Sequence, residues 1–339
     1  MGKVESIYFV LTWLCHRTCP HCYEDRFRPY YGADRDRVAA QSLENAPRII
    51  ANVPARLGFR PAAGGTERAG TVILAGGEVL LDAVREPTLY PALDQLRQRY
   101  SGKAQLVVQT TGDLLTERIA TELLARGVRV ISVSGIDHHH AGLEEPAAQE
   151  ALREKLTRIF ETLGMVYGGT READEALANR ARFHFFGATP DVWIGKLWPR
   201  GRAWMNDLST ADMTENFCAR WSGGQNFLRV GEEGAEVSVD PDGNVYPCCL
   251  KTRLPIGNLL EEPLESILAR RAADPVYQAI SAGEPQRMGL TRGWSEEMFL
   301  SRCRTTTPAG VSYANLCIGC DRFHDEVLAA ARPSLVQID

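Results

Sequence analysis

An α/β fold on a parallel sheet is predicted by three features of the 339-residue sequence. Short apolar runs rich in β-branched and aromatic residues alternate with helix-like runs about six times before residue 190, the pattern of strands joined by crossover helices. Glycine-rich or polar motifs stand at the C-terminal ends of these strands, where parallel barrels carry their chemistry because the loops vary over a packed core. Beyond residue 190 the alternation gives way to a Trp-, Gly- and Arg-rich stretch and then to short strand-like runs, which marks a second region.

Residues 7–14 (IYFVLTWL) read as a buried strand that runs straight into a group of cysteines. Residues 36–52 have helical periodicity but contain Pro47, and 54–70, with two prolines, a Gly-Gly pair and Gly70, read as a loop. The second strand, 71–74, ends in Ala75-Gly76-Gly77-Glu78. A helix over 91–100 opens with proline, which fits a first turn because its missing N–H has no helical partner there. The third strand, 105–109, ends in Thr110-Thr111-Gly112-Asp113, and the helix over 116–126 is closed by Gly127. The fourth strand, 128–133, ends in Ser134-Gly135-Ile136-Asp137. Apolar residues at 152, 156, 159, 160 and 163 line one face of a helix over 146–163. A weak strand at 165–167, a helix over 172–182 and a strand at 183–186 follow. Residues 227–246 look like short strands, with Asp240-Pro241-Asp242-Gly243 as a hairpin turn, and a helix covers 261–271. These readings divide the chain into 1–205 and 206–339.

Hydrophobic residues at 44% and charged residues at 24% exclude a long disordered chain. No apolar run reaches the ~18 residues of a membrane span, and the N-terminus lacks the pattern of a secretory signal. Lys and Arg total 38 against 43 Asp and Glu, a net charge of −5, so no nucleic-acid partner is expected. The nine cysteines are too sparse for a disulfide scaffold and fall in three groups: Cys15, Cys19, Cys22; Cys218, Cys248, Cys249; Cys303, Cys317, Cys320. Grouped thiols in an unsecreted chain point to metal or cluster ligation in the reducing cytoplasm.

Cys15-x3-Cys19-x2-Cys22 puts three thiolates on one tight loop. Three thiolates hold three irons of a four-iron cluster and leave the fourth iron open; zinc would need a fourth ligand, for which His16 or His21 is at hand.

This loop, at the end of the first strand and followed by aromatic Tyr23, resembles the defining motif of the radical S-adenosylmethionine (radical SAM) enzymes. Gly76-Gly77-Glu78 resembles that family's Gly-Gly-Glu motif, which binds the amino group of the methionine moiety, although Val79 stands where proline is usual. Gln109-Thr110-Thr111-Gly112 and Ser134 are similar to the family's next segments, in order, over residues 7–190. The resemblance implies a partial (β/α)6 TIM-type barrel with a SAM-binding 4Fe-4S cluster on Cys15, Cys19 and Cys22. It implies S-adenosylmethionine contacts from Tyr23, Gly76, Gly77, Glu78, Thr110 and Ser134, and a reducing partner such as flavodoxin or ferredoxin. The glycines would let the backbone approach the cofactor, and Glu78 would neutralise its ammonium.

Gly243-x4-Cys248 and Cys317-x2-Cys320, with Cys218 upstream, resemble the auxiliary-cluster extensions called SPASM and its shorter form, twitch. Arg200-Gly201-Arg202-Ala203 and 255–259 also resemble that region. The seven-cysteine run of a full SPASM domain is absent, so the resemblance implies one auxiliary 4Fe-4S cluster on Cys218, Cys248, Cys317 and Cys320 in a twitch-like α+β domain. Structural zinc is the alternative at these four. Cys249 and Cys303 are left as hydrogen donors to a substrate radical or as inert buried thiols.

Three consecutive histidines, His138-His139-His140, invite a metal reading, but consecutive side chains on a loop diverge, so one site is not expected to use all three; against ligation they read as a polar loop lining the pocket, with Asp137 and His138 near the substrate. His184, within an aromatic strand, reads as a core histidine, and the tryptophans as packing between two domains. The expectation is a radical SAM enzyme that carries out dehydrogenation, epimerisation or bond formation. A sugar- or amino-acid-derived small molecule is favoured as substrate, because a strand at residue 7 leaves no room for a leader-binding domain. The alternatives are a maturase of a ribosomally made peptide and a non-catalytic metal-binding scaffold.

Overall fold

The computed structural model describes residues 4–59, 68–169, 177, 179–187, 196–220 and 236–330. Its main sheet contains β1 (Ser6–Val10), β2 (Gly58–Phe59), β3 (Arg68–Ala75), β4 (Ala104–Thr110), β5 (Val128–Ser134), β6 (Val166–Tyr167), β7 (Arg182–Phe186), β8 (Glu236–Val239), β9 (Asn244–Tyr246) and β10 (Gly257–Asn258). Their order is β10-β9-β8-β1-β3-β4-β5-β7-β6, and every pairing from β8 to β6 is parallel. A separate ribbon pairs β11 (Arg304–Thr306) with β12 (Ser312–Ala314).

The α/β reading is borne out, with four refinements. Residues 58–59 are a short strand antiparallel to the start of β3, not loop. Gly70 marks a close crossing rather than a turn: a Cβ there would stand 2.5 Å from Leu57 Cβ and 2.7 Å from the Glu5 carbonyl oxygen. β7 lies between β5 and β6, so the last two parallel strands are not in chain order. β8, from beyond residue 205, joins the same sheet through β1.

Helices α1 (Gly32–Ala51), α2 (Tyr90–Tyr100), α3 (Glu117–Ala125) and α4 (Pro146–Thr162) connect the strands. The first starts earlier than periodicity suggests and accommodates Pro47 on an exposed position. A π turn over Arg85–Leu89 leads into α2, and the Thr116 side chain caps α3 by accepting from the Ile119 N–H at 3.2 Å. The reading of a helix over 172–182 and of strands over 227–235 falls mostly on residues outside the described ones.

Registers divide the sheet into two unlike faces, because directly paired residues on parallel strands point the same way. Phe183 stacks on Phe160 of α4 at 4.6 Å, so Phe183 belongs to the helix-covered face. The opposite face is polar: Glu236 pairs with Ser6, Ser238 with Tyr8, Gln109 with Ser132 and Ser132 with His184. Gln109 donates to the Tyr8 hydroxyl at 3.2 Å, and the Ser6 hydroxyl donates to Glu236 at 2.7 Å.

The later segments add α5 (Gly201–Met205), α6 (Leu264–Arg271), α7 (Pro275–Ser281), α8 (Glu296–Arg302) and α9 (Leu316–Phe323). Val10, Leu74 and Val133 share one hydrophobic cluster with Leu264, Phe299 and Phe323. Trp198 packs in a satellite cluster with Phe217, Cys248 and Leu250, a packing role as expected; Trp193 and Trp221 lie outside the described residues. The Asp240–Gly243 turn joins β8 to β9, with the Asp240 carboxylate accepting from the Asp242 and Asn244 N–H groups at 3.0 Å each. Among the described residues no helix is long and apolar enough to cross a membrane.

Candidate functional site

The sheet ladder continues past β1 and shapes the first cysteine loop. The Leu11 N–H donates to the Ala75 carbonyl at 2.7 Å, Gly77 N–H to Thr12 at 3.0 Å and Glu78 N–H to Leu14 at 2.8 Å. The glycines are needed for this contact. A Cβ on Gly77 would stand 2.2 Å from the Leu14 carbonyl oxygen, and one on Gly76 would stand 2.9 Å from that of Thr12. In the structure their close approach is therefore to the cysteine loop itself.

Arg202 grips the loop from the other side. Its guanidinium donates to the carbonyls of Cys19 at 2.9 Å, Asp25 at 3.1 Å and Phe27 at 2.8 Å, and its backbone N–H donates to Cys22 at 2.8 Å. Asn206 adds a bond to the Pro20 carbonyl at 2.9 Å. Cys15 and Cys19 are buried, and Cys22 is half-buried. The Arg17 N–H lies 3.4 Å from the Cys15 sulfur, and the Ala141 N–H hydrogen-bonds the Cys19 sulfur. Burial raises the pKa of Cys19 and pushes Cys22 up to about 12. Such thiols ionise when a metal supplies the compensating charge.

Glu78 is buried, and its carboxylate accepts four hydrogen bonds: Leu80 N–H and Thr110 hydroxyl at 2.8 Å, Thr111 N–H and hydroxyl at 2.7 Å. These engage both oxygens and lock the end of β3 to the end of β4. Thr110 also accepts from the Gly112 N–H at 3.1 Å, and the Ser134 hydroxyl reaches the Thr110 carbonyl at 3.4 Å. Gly76, Gly77, Glu78, Thr110 and Ser134 thus come together around one corner of the sheet.

Asp113 was not singled out from sequence, yet it ties this corner to the loop. It meets His16 at 2.7 Å and Arg17 at 2.9 Å, and it competes with Glu78 for the single proton of the Thr111 hydroxyl. Against burial, these partners hold its carboxyl well below the usual range, and the Asp113 bond raises His16 to about 10. His16 is thereby committed to Asp113.

The second thiol group is assembled from three segments. Cys218, Cys248, Cys317 and Cys320 line one cavity together with Arg200, whereas Cys249 and Cys303 do not line it. Cys218 sits in a helical turn over Phe217–Arg220 that Asn216 caps, accepting from the Ala219 N–H at 3.0 Å. Cys317 and Cys320 ride on α9, whose cap Asn315 is fully buried and accepts from the Cys317 N–H at 2.8 Å. Arg200 forks onto Asp321 at 2.7 and 3.0 Å and lies beside Cys317, Cys320 and Cys248. Burial pushes Cys317 up to about 11 and Cys248 to about 12, and Cys320 well up. A cation beside buried thiols, with N–H groups of Leu250 and Lys251 bonded to Cys248, suits an anionic iron–sulfur centre.

In neither centre do three sulfurs lie within 4.8 Å of one another. A tetrahedral zinc with bonds near 2.3 Å would draw its thiolates to about 3.8 Å. The donor sets fit a larger group better than a single zinc ion.

The segment Arg200-Gly201-Arg202 joins the two centres, one guanidinium on each. Gly201, at φ +50°, is required there: a Cβ would stand 2.5 Å from Tyr23 C and 2.7 Å from the Cys22 carbonyl oxygen. Lys251 adds a second link. It follows the Cys248-Cys249 pair, donates to Glu24 at 2.6 Å, and lies 4.3 Å over the Trp13 ring.

Tyr23 brings its hydroxyl to 3.5 Å from that of Tyr8, and both phenols lie near Cys249. Burial raises the Cys249 thiol well above its usual value, with Glu236 adding to the effect. Cys303 is fully buried, bonds the Phe299 carbonyl at 3.4 Å, and would stand 2.6 Å from a Cβ on Gly319. Its surroundings are those of a core thiol. His184 is half-buried on the polar face, lowered to about 4 by burial, and its Nδ1 has no hydrogen-bond partner among the described residues.

Residues 232–299, which include Cys248 and Cys249, match the SPASM family, described as an iron–sulfur cluster-binding domain. No curated protein sequence matches the chain. Among solved structures, the chain is similar to BtrN in complex with AdoMet and 2-DOIA, at 17% identity and a TM-score of 0.44, covering 84% of this chain and 89% of that one. It is similar to Streptococcus suis SuiB bound to precursor peptide SuiA, at 12% identity and a TM-score of 0.45, covering 88% and 75%. It is also similar to anSMEcpe with bound AdoMet and Cp18Cys peptide, at 13% identity and a TM-score of 0.42, covering 94% and 95%.

Proposed function

We propose that this chain is a radical SAM enzyme with an auxiliary cluster, acting on a small polar substrate. The observation that carries the reading is the pair of thiol centres. One, on Cys15, Cys19 and Cys22, stands at the C-terminal ends of parallel strands. The other, on Cys218, Cys248, Cys317 and Cys320, is joined to it through Arg200-Gly201-Arg202. The SPASM match over 232–299 supports an iron–sulfur role for the second.

S-adenosylmethionine on a four-iron cluster supplies a 5′-deoxyadenosyl radical able to take an unactivated hydrogen. The protein's part is to hold and exclude. Arg202, Asp113 and the Gly76-Gly77 turn fix the loop of Cys15, Cys19 and Cys22. Glu78 would place negative charge at the sheet corner where the cofactor's ammonium would lie, with Thr110 and Ser134 around it, and Tyr23 would contact the cofactor from the cysteine loop. Arg200 would offset the charge of a cluster held by Cys218, Cys248, Cys317 and Cys320, which would supply an electron acceptor or an anchor for the substrate. Cys249, beside Tyr8 and Tyr23, is the thiol placed to return a hydrogen in an epimerisation; Cys303 is not used.

The polar sheet face supports a small substrate rich in hydrogen-bonding groups. Two buried atoms on it, Ser238 Oγ and His184 Nδ1, have no partner among the described residues, and such atoms are satisfied by a ligand or water. The test is 5′-deoxyadenosine formation from SAM by anaerobically reconstituted protein under a strong reductant, with sugar- and amino-acid-derived compounds set against peptides. Stimulation by a polar small molecule supports the reading, and stimulation by peptides alone turns it to a peptide maturase. Bound metal without SAM cleavage favours a non-catalytic scaffold.

A further inference from the structure

The histidine triplet after β5 divides its side chains: His140 turns in beside Asp137, towards His21 of the cysteine loop. We propose that His21, Asp137 and His140 form a site for one divalent transition-metal ion, beside the first cysteine centre but using none of its thiols. One ligand atom from each residue lies within 4.8 Å of the others, and among the described residues no other three His, Cys, Asp or Glu do so.

The surroundings are built for these side chains. Asp137 is fully withdrawn from water and His140 nearly so, with side-chain exposures of 0% and 12%. Asp137 Oδ1 lies 2.8 Å from His140 Nδ1 and accepts from the His139 N–H at 3.0 Å. His21 Nδ1 lies 3.1 Å from the His139 carbonyl oxygen, and its ring meets that of His140 edge-on at 4.4 Å. With Nδ1 donating to that carbonyl, the neutral His21 ring keeps its lone pair on Nε2.

Two glycines make the room. A Cβ on Gly135 would stand 2.4 Å from the His140 ring, and one on Gly187 would stand 2.6 Å from Asp137 Oδ2. They follow β5 and β7, so neighbouring strand ends are both cut back where the ligands sit. Two imidazoles and a carboxylate suit zinc, iron(II), cobalt(II) or nickel(II) rather than magnesium or calcium. Three protein ligands leave open positions for water or for an oxygen or amine of the substrate.

The test gives zinc to the anaerobically reconstituted full-length protein, removes the excess, and counts zinc and iron with X-ray absorption at the zinc edge. The site predicts about one zinc beyond the iron, with an imidazole-containing N/O shell near 2.0–2.2 Å. Retention falls about 10-fold or more in His140→Ala. It also falls in Asp137→Asn and is unchanged in His138→Ala, with iron content intact in each. Zinc absent from wild type, or held equally by His140→Ala, overturns the site and leaves the cluster reading untouched. A sulfur shell near 2.3 Å overturns it too, since the zinc then sits on thiols. Iron content in the same sample shows whether the cluster reading fails with it.

Discussion

The first thiol centre lies within eight consecutive residues held by backbone hydrogen bonds to the end of β3, whereas the second gathers thiols from positions 218, 248, 317 and 320. The first is shaped mainly by peptide groups: the Gly76-Gly77-Glu78 turn beneath it and the Arg202 guanidinium on its carbonyls. The second is shaped by side chains, the Asn315 and Asn216 caps and the Arg200–Asp321 fork. A centre whose geometry is local tolerates distant change, and one assembled from three segments depends on the packing of all three.

The largest contrast is expected on removing ligands from the second centre alone. Cys317→Ala/Cys320→Ala should lose about four irons, the content of one cluster, and still form 5′-deoxyadenosine without substrate. Loss of all iron would show that the two centres are not separately built.

Next come the arginines. Arg202→Ala removes charged donors from three carbonyls, at about 1.5–3 kcal/mol for a charged hydrogen bond, and should deplete iron at the first centre. Arg200→Ala takes from Asp321 its closer partner, leaving Arg253 at 3.7 Å, and removes a positive charge from beside the second centre, so its reduction potential should become more negative. Redox titration followed by electron paramagnetic resonance reads both. Equal effects of the two variants on both centres would break the assignment of one arginine to each.

Gly77→Ala should lower stability by about 1–3 kcal/mol in denaturant melts, since a Cβ there meets the Leu14 backbone and cannot be relieved by rotating a side chain. Gly142→Ala, where nothing stands within 4 Å of the added Cβ but φ is +84°, serves as a reference for backbone strain alone.

The smallest effect is one of pH and lies on the polar sheet face. Burial lowers His184 to about 4 from about 6.5 when unfolded, so the folded state binds fewer protons. Stability from this group is full above about 6.5 and falls as pH drops towards 4. His184→Phe should flatten that slope in thermal melts, and an unchanged slope would show that His184 is not the titrating group.

The same local-against-distant contrast governs what could be read from sequence. The Cys15–Cys22 spacing, the strand-end motifs and the Asp240–Gly243 turn are sequence-local and stand where expected. The place of β7 between β5 and β6, and β8 beside β1, depend on pairing across the chain, which periodicity does not encode. Gly70 and Gly77 look like turn glycines, but each marks a crossing with a distant segment. Asp113 and Arg202 were legible only as a strand-end residue and part of a familiar stretch, because their partners, His16 and the Cys19 carbonyl, are about 100 and 180 residues away. Cys303 was indistinguishable by residue type from a ligand until its burial against Phe299 and Gly319 was known.

The central claim is that the two centres have different tasks, with cofactor cleavage belonging to the first alone. The most direct measurement is 5′-deoxyadenosine formation, with iron content, in wild type and in Cys15→Ala/Cys19→Ala/Cys22→Ala. Nucleoside in wild type, and none in a variant that keeps about four irons, is the predicted result. Nucleoside from the variant, or zinc and no SAM cleavage in wild type, would contradict it.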